Sequence, residues 1–160
     1  MPGTVPKFGS PEIWTLEDDV APVRQKMARL VMQTNPRSAV NITEPINRWL
    51  REVGGRDGLL TLFLRHTSAS LAIQENTDPD VLKDLLDAFD LLAPADRPWR
   101  HSLEGPDDMP AHIKSVLAGP SIAIPTVAGN MDLGTWQAVY LIEHRAQPHQ
   151  RSITLHYIGG

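Results

Sequence analysis

Short apolar runs, each bounded by glycine, proline or asparagine, divide this chain into predicted strands and helices. The stretch from Val23 to Thr34 fits a helix or a strand, but Asn35-Pro36 ends it with a turn signal and Ser38 to Ile42 follows closely. We therefore predict two strands, the second placed to pair back on the first as a hairpin. Apolar runs predict further strands at 59–64, 71–73, 122–127, 133–145 and 152–158, with a turn at Gly129-Asn130.

Helical spacing of apolar residues appears in three segments. Thr43 is predicted to be the N-cap of the first helix, which Gly54-Gly55 ends. Asp78 and Pro79 begin the second helix, and its predicted buried stripe is Val81, Leu82, Leu85, Leu86 and Phe89. Asp107 or Asp108 is expected to cap a short third helix. Strands mixed with three helices, without regular βαβ alternation, predict an α+β fold with a mostly antiparallel sheet.

The domain organisation follows from the same pattern. Residues 1–22 contain four prolines and no apolar periodicity, so we predict an N-terminal extension there. Residues 23–160 are expected to form a single domain, since their length suits one hydrophobic core.

Composition narrows the classes of partner and cofactor. The net charge is −4, which disfavours nucleic acid and membrane surfaces as partners. The chain has no cysteine, so any metal must be held by histidine, carboxylate, amide or water. The N-terminus does not resemble a signal peptide and no apolar run is long enough for a membrane helix. We therefore expect a cytoplasmic location.

The densest candidate chemistry lies in the segment HSLEGPDDMPAH, from His101 to His112. A third histidine, His66, follows the predicted strand at 59–64, whereas His144 is expected to be an exposed residue at a strand end. His66, His101 and His112 would suit a three-histidine metal site with an open position for water. Their spacing fits no strict motif, so scattered surface histidines with helix-capping aspartates remain the alternative.

Three blocks together resemble one family of small proteins: HTSASLAIQENTDPDVLKDL, EGPDDMPAHIKS and LGTWQAVYLIEHR. In this order and spacing they are similar to the YjbQ-like family, often labelled secondary thiamine-phosphate synthase. The resemblance implies an α+β fold with an antiparallel, barrel-like sheet and a homotrimer. It also implies a pocket that holds a divalent metal (zinc, magnesium or manganese). The residues carried over to that pocket are His66, Asn76, His101, Glu104, His112 and Gln137.

The resemblance implies a transferase that joins a pyrimidine pyrophosphate to a thiazole phosphate. Glu104, Asn76 and Gln137 are then expected to be catalytic, and Lys114, Arg145 and Ser68 to bind a phosphorylated small-molecule substrate. The alternatives are a metal-dependent hydrolase with Glu104 as general base, and a non-enzymatic metal- or metabolite-binding trimer. On either view Asp107 and Asp108 are expected to cap the helix that carries His112.

Overall fold

Eight strands and three helices make up residues 22–160, the part of the chain that the computed structural model describes. The strands are β1 (Arg24–Gln33), β2 (Ser38–Asn41), β3 (Gly58–Leu64), β4 (Ala69–Glu75), β5 (Ser121–Val127), β6 (Asn130–Met131), β7 (Gln137–Glu143) and β8 (Gln150–Gly159). The helices are α1 (Thr43–Glu52), α2 (Pro79–Leu92) and α3 (Asp108–Ala118). Within these residues no helix has the length and apolar content to cross a membrane. The predicted extension lies outside the described residues, apart from Pro22.

The strands form two antiparallel sheets, which confirms the predicted α+β fold with three helices. The large sheet, which curls into a half-barrel, has the order β1-β8-β3-β5-β6, and the small sheet has the order β2-β7-β4. The predicted hairpin of the first two strands is wrong. β1 pairs with β8, whereas β2 pairs with β7 in the other sheet. The apolar pattern identifies a strand but not its partner, and here both partners lie far along the chain.

The main core lies between the two sheets and is closed by α1. Alternate residues of β3, namely Leu60, Leu62 and Leu64, point inward with Ile46 and Leu50 of α1. Thr43 is the first helical residue rather than the N-cap, which is Ile42. The Thr43 hydroxyl instead accepts a hydrogen bond from the backbone N–H of Val139, and so ties α1 to the small sheet.

Helix α2 covers the outer face of the small sheet. Asp78 caps it as predicted, since its carboxylate accepts a hydrogen bond from Asp80 N–H at 2.9 Å. Three residues of the predicted stripe, Leu82, Leu86 and Phe89, pack on the small sheet but remain only partly buried. Because β7 has the main core on one face and α2 on the other, every residue from Ala138 to Glu143 is buried.

Candidate metal centre

Two histidines meet one carboxylate at the start of α3. Asp108 is the first residue of the helix and His112 lies one turn later on the same face, while His101 comes from the preceding loop. Oδ2 of Asp108 lies 2.6 Å from Nε2 of His101 and 3.1 Å from Nε2 of His112. The three ligand atoms all lie within 4.8 Å of one another. We call these three residues the His–Asp cluster.

The backbone fixes the proton on His112. Its Nδ1 lies 2.7 Å from the carbonyl oxygen of Thr67, which can only accept a hydrogen bond, so Nδ1 must carry the proton. In the neutral imidazole Nε2 is then unprotonated, and its lone pair faces the Asp108 carboxylate. A carbonyl that orients one ring nitrogen and leaves the other free is the usual arrangement around a metal-binding histidine.

Asp108 is held in place by Arg145 from the residues that follow β7. Arg145 donates to Asp108 Oδ1 at 2.6 Å, to Asp107 Oδ2 at 2.9 Å and to the carbonyl of Glu104 at 2.9 Å. Asp108 is only 1% exposed. Burial acts to raise its pKa, but the hydrogen bond from His101 and the charge of Arg145 outweigh burial and hold the pKa below its ordinary value. The group is therefore a carboxylate with one oxygen directed at the two histidines.

The predicted capping role of the two aspartates is wrong. Asp107 occupies the N-cap position of α3 without any side-chain capping bond, and Asp108 lies inside the helix. Asp107 instead accepts hydrogen bonds from Arg145 and from the backbone N–H of Ala146. An aspartate before a helix is typical of an N-cap, so the sequence pattern predicts capping. It does not reveal that the Asp108 carboxylate faces two histidines.

His66 lies near the cluster but outside it. Its Nε2 accepts a hydrogen bond from the backbone N–H of Ser152 at 2.8 Å, and the ligand atoms that come together are those of the His–Asp cluster. Burial and the charge of Arg151 lower the pKa of His66 below its ordinary value, which favours the neutral ring. In the described residues Asp108 completes the set of three, and a ligand role for His66 stays a prediction.

The other residues expected at the site divide into two locations. Glu104, Lys114, Arg145 and Ser68 lie at the cluster end of the molecule. Arg145 pairs with two aspartates. The Ser68 hydroxyl accepts a hydrogen bond from buried Arg151. Arg145 therefore braces the cluster with three of its five N–H donors, and its role in substrate binding stays a prediction. The roles of Glu104 as a base and of Ser68 in binding stay predictions.

Asn76 and Gln137 lie at the opposite end of the small sheet. The register pairs Glu75 with Gln137 at one end of the β4–β7 ladder and Ala69 with Glu143 at the other, which is the cluster end. Seven residues of extended strand separate these ends by about 20 Å. Within one chain Asn76 and Gln137 therefore do not reach the cluster, and their catalytic roles stay predictions.

The burial of Glu143 and His144, two polar residues beside the cluster, was not predicted from the sequence. Glu143 is fully buried and paired with Arg151 and Thr34, which hold its pKa below its ordinary value although burial acts to raise it. His144 is only 5% exposed, so the expected exposed strand end is wrong. The signal was present in the sequence: the uninterrupted apolar run AVYLI indicates a strand covered on both faces.

Proteins of similar sequence and structure are known. Residues 28–160 match the family described as UPF0047 protein YjbQ-like. A UPF0047 protein of Synechocystis sp. is 51% identical over 140 residues, which are 87% of this chain and 95% of that relative. The solved structure of a conserved hypothetical protein from Thermus thermophilus is 38% identical with a TM-score of 0.72, covering 79% of this chain and 97% of that one.

A more distant structure shares the fold alone. It is a YbjQ-like protein of unknown function from Sulfolobus solfataricus P2, with a TM-score of 0.79 and 22% identity over 86% of this chain and 99% of that one. These relatives are uncharacterised, and neither thiamine-phosphate synthase activity nor metal dependence is found among them. The function predicted from the resemblance, a metal-dependent thiamine-phosphate synthase, is therefore wrong. The hydrolase alternative has no support among these relatives either.

Proposed function

The chain belongs to the UPF0047 protein YjbQ-like family, and from this premise we propose that it binds a divalent transition-metal ion through His101, Asp108 and His112. One observation carries the proposal. The Nδ1 proton of His112 is committed to the Thr67 carbonyl, so the free Nε2 lone pair faces a carboxylate oxygen 3.1 Å away. A cation between the two atoms turns this repulsive contact into two favourable bonds.

The donor set and its spacing suit a metal ion. Two imidazole nitrogens and one carboxylate oxygen are ligands that transition metals accept, with coordination positions left open. Tetrahedral zinc at bond lengths of about 2.0–2.2 Å separates neighbouring ligand atoms by about 3.3 Å. The 3.1 Å contact already has this spacing, while His101 must move out from 2.6 Å. His101 comes from a loop and its side chain is 44% exposed, so it is free to make this small shift.

The ligand types also rank the metals. Imidazole nitrogens suit zinc, iron(II), copper and nickel, whereas magnesium and manganese prefer carboxylate and water oxygens. We therefore expect zinc to bind more tightly than manganese or magnesium. A bound ion with open positions would polarise an oxygen atom of a further ligand.

Metal titration of the purified protein tests the proposal. Calorimetry of protein stripped with a chelator should show about one zinc ion per chain, and Asp108→Asn and His112→Gln should each weaken binding by tenfold or more, about 1.4 kcal/mol. His156→Gln is the matched control. His156 lies on the outer face of β8, and among residues 22–160 its ring forms a hydrogen bond with Gln25 alone, so this change should leave zinc affinity intact.

Two results count against the metal centre. One is the absence of zinc, manganese or iron binding to the wild-type protein. The other is equal loss of affinity in His156→Gln and His112→Gln, which would indicate binding to surface histidines in general. Circular dichroism of each variant confirms that the fold survives the substitution.

We also propose self-association, with a homotrimer as the expected state. The outer face of the large sheet carries an exposed apolar surface made of Met27, Val31, Leu59, Phe63 and Ile158. Exposed apolar patches of this kind mark protein interaction sites.

A cytoplasmic location stays a prediction from the sequence.

A further inference from the structure

A second candidate site lies on a different face of α3 from the His–Asp cluster. Asp107, Pro110 and Lys114, spaced three and four residues apart, line a cleft of about 450 Å³. The opposite walls come from the end of α2 with residues 93–96 and from His144 and Ala146. A cleft of this volume accommodates a small metabolite.

The floor of the cleft holds a buried cation. Lys114 is only 6% exposed, yet its ammonium has three N–H donors and just one acceptor among the described residues, Asp90 Oδ1 at 2.5 Å. Asp90 is shared with Arg37, which donates to its other oxygen at 2.7 Å and holds a second partner, Asp87. Two cations of the cleft wall therefore pair with one carboxylate. If a ligand accepts hydrogen bonds from Lys114, Asp90 still has its ion pair with Arg37.

His144 offers the second polar group of the floor. Its Nε2 lies 2.8 Å from the hydroxyl of Ser70, which is fully buried. Nδ1 has no partner among the described residues. No fully buried side-chain nitrogen or oxygen there lacks a partner, so Nδ1 keeps some exposed surface, and the cleft is the open space that His144 lines. Burial lowers the pKa of His144 to about 4, so the ring is neutral near pH 7.

The remaining walls of the cleft are mainly apolar, as in most small-molecule binding sites. Asp107 faces the cleft, but Arg145 and the Ala146 N–H already occupy its carboxylate. The surfaces of Ala93, Pro94, Ala95 and Pro110 are apolar and suit the body of a ligand, and Asp96 adds one carboxylate to the same wall. Apolar walls with a few convergent polar groups are the usual composition of a small-molecule site.

We propose that this cleft binds a small molecule with an anionic carboxylate or phosphate group on an apolar body. The anionic group would accept hydrogen bonds from Lys114 Nζ, with His144 Nδ1 beside it, and the apolar body would lie against Pro94 and Pro110. Arg145 joins Asp107 of the cleft to Asp108 of the cluster, but the ligand contacts none of the three metal ligands. Binding here therefore does not require the metal.

Titration of chelator-treated, metal-free protein with three probes tests this site. The probes are phenyl phosphate, benzoate and neutral benzyl alcohol, followed by amide chemical shifts and calorimetry. We expect one or both anions to bind and to shift the amide signals of Ala95, Lys114 and Ala146, while benzyl alcohol binds at least tenfold more weakly because it lacks the charge. Binding of one anion but not the other identifies which anionic group the cleft accepts.

Lys114→Met removes the ammonium and keeps the length of the side chain. It should weaken anion binding by about tenfold or more, since it removes a hydrogen bond between charged groups. Lys83→Met is the matched control, because Lys83 also pairs with an aspartate but lies exposed on α2 away from the cleft. This control should change affinity by less than twofold.

Three outcomes overturn the proposal. They are no saturable binding of either anion, equal binding of benzyl alcohol, and shifted amide signals that lie outside the cleft. The amide map on the wild-type protein keeps the test valid if Lys114→Met does not fold. Since the protein is metal-free throughout, failure here is distinguishable from failure of the His–Asp cluster to bind zinc.

Discussion

The charge state of one residue, His144, makes stability depend on pH. Burial, followed by the charge of Lys114, lowers its pKa from 6.5 to about 4. Between these values the unfolded chain binds a proton that the folded chain excludes, so the free energy of unfolding falls as pH drops from about 6.5 to 4 and is fully restored above 6.5. The expected loss is about 3 kcal/mol for this group.

Denaturation in urea at pH 4.5 and pH 7 measures this effect. His144→Gln keeps a partner for Ser70 and should have a smaller difference between the two pH values than the wild type, while His156→Gln should keep the wild-type difference. A proton titration of the His144 ring by NMR reads the pKa directly. An ordinary value near 6.5 would show that the ring is not desolvated as described.

Single-residue chemistry was only partly predictable from the sequence. His101 and His112 could be identified because they lie close together in a polar segment. Asp108 was assigned to capping because nothing local reveals Arg145, which lies 37 residues away and turns the carboxylate toward the histidines. Lys114 was predicted as a ligand-binding cation, but its burial depends on distant parts of the chain, namely Asp90 of α2 and His144 after β7.

At the level of elements, the turn between β5 and β6 is the clearest point of backbone constraint. Val127 pairs with Asn130, so the two-residue turn is Ala128-Gly129, with positive φ of 49° and 81°. A Cβ at position 129 would lie 2.8 Å from the carbonyl oxygen of Gly55. Gly129→Ala should therefore lower the free energy of unfolding by about 1–2 kcal/mol or more.

Ala128→Asn provides the opposite change in the same turn. Asparagine tolerates positive φ better than alanine, and Asp57 still accepts the backbone N–H of this residue, so stability should rise by up to about 1 kcal/mol. Urea denaturation of both variants measures the pair. Equal effects of the two substitutions would contradict the assignment of strain to these φ values.

Strands and helices were easier to predict than their ends and partners. The turn predicted at Gly129-Asn130 exists but lies one residue earlier, at Ala128-Gly129. The register of β5 and β6 decides which residues form the turn. The predicted strand at 133–145 begins only at Gln137, since the Gln137 side chain accepts the Gly134 N–H and closes a local turn before it. Neither register nor side-chain closure is visible in apolar periodicity.

For the whole molecule, the exposed face of the large sheet predicts the behaviour in solution. Phe63 is 50% exposed on β3, the middle strand of the large sheet, between Thr154 and Ser121. If copies associate there as a trimer, light scattering should give about three times the chain mass of 17.7 kDa. Phe63→Glu places a charge in the interface and should shift the mass to that of a single chain.

Leu103→Glu is the control for this prediction. Leu103 is 98% exposed in the loop before α3, so the same change of chemistry there should leave the mass unaltered. A wild-type protein that runs as a single chain at micromolar concentration contradicts self-association. A trimer that persists in Phe63→Glu would place the interface on another face.

The place of β8 in the large sheet has a consequence for synthesis on the ribosome. Among the described strands β1 is made first and β8 last, yet β8 is the only one of them that pairs with β1, and it lies between β1 and β3. The nascent chain therefore carries an unpaired β1 with its apolar side chains until nearly all of the described residues have emerged. Such late closure delays completion of the large sheet until β8 has been synthesised, and leaves the apolar side chains of the unfinished domain exposed to aggregation in the meantime.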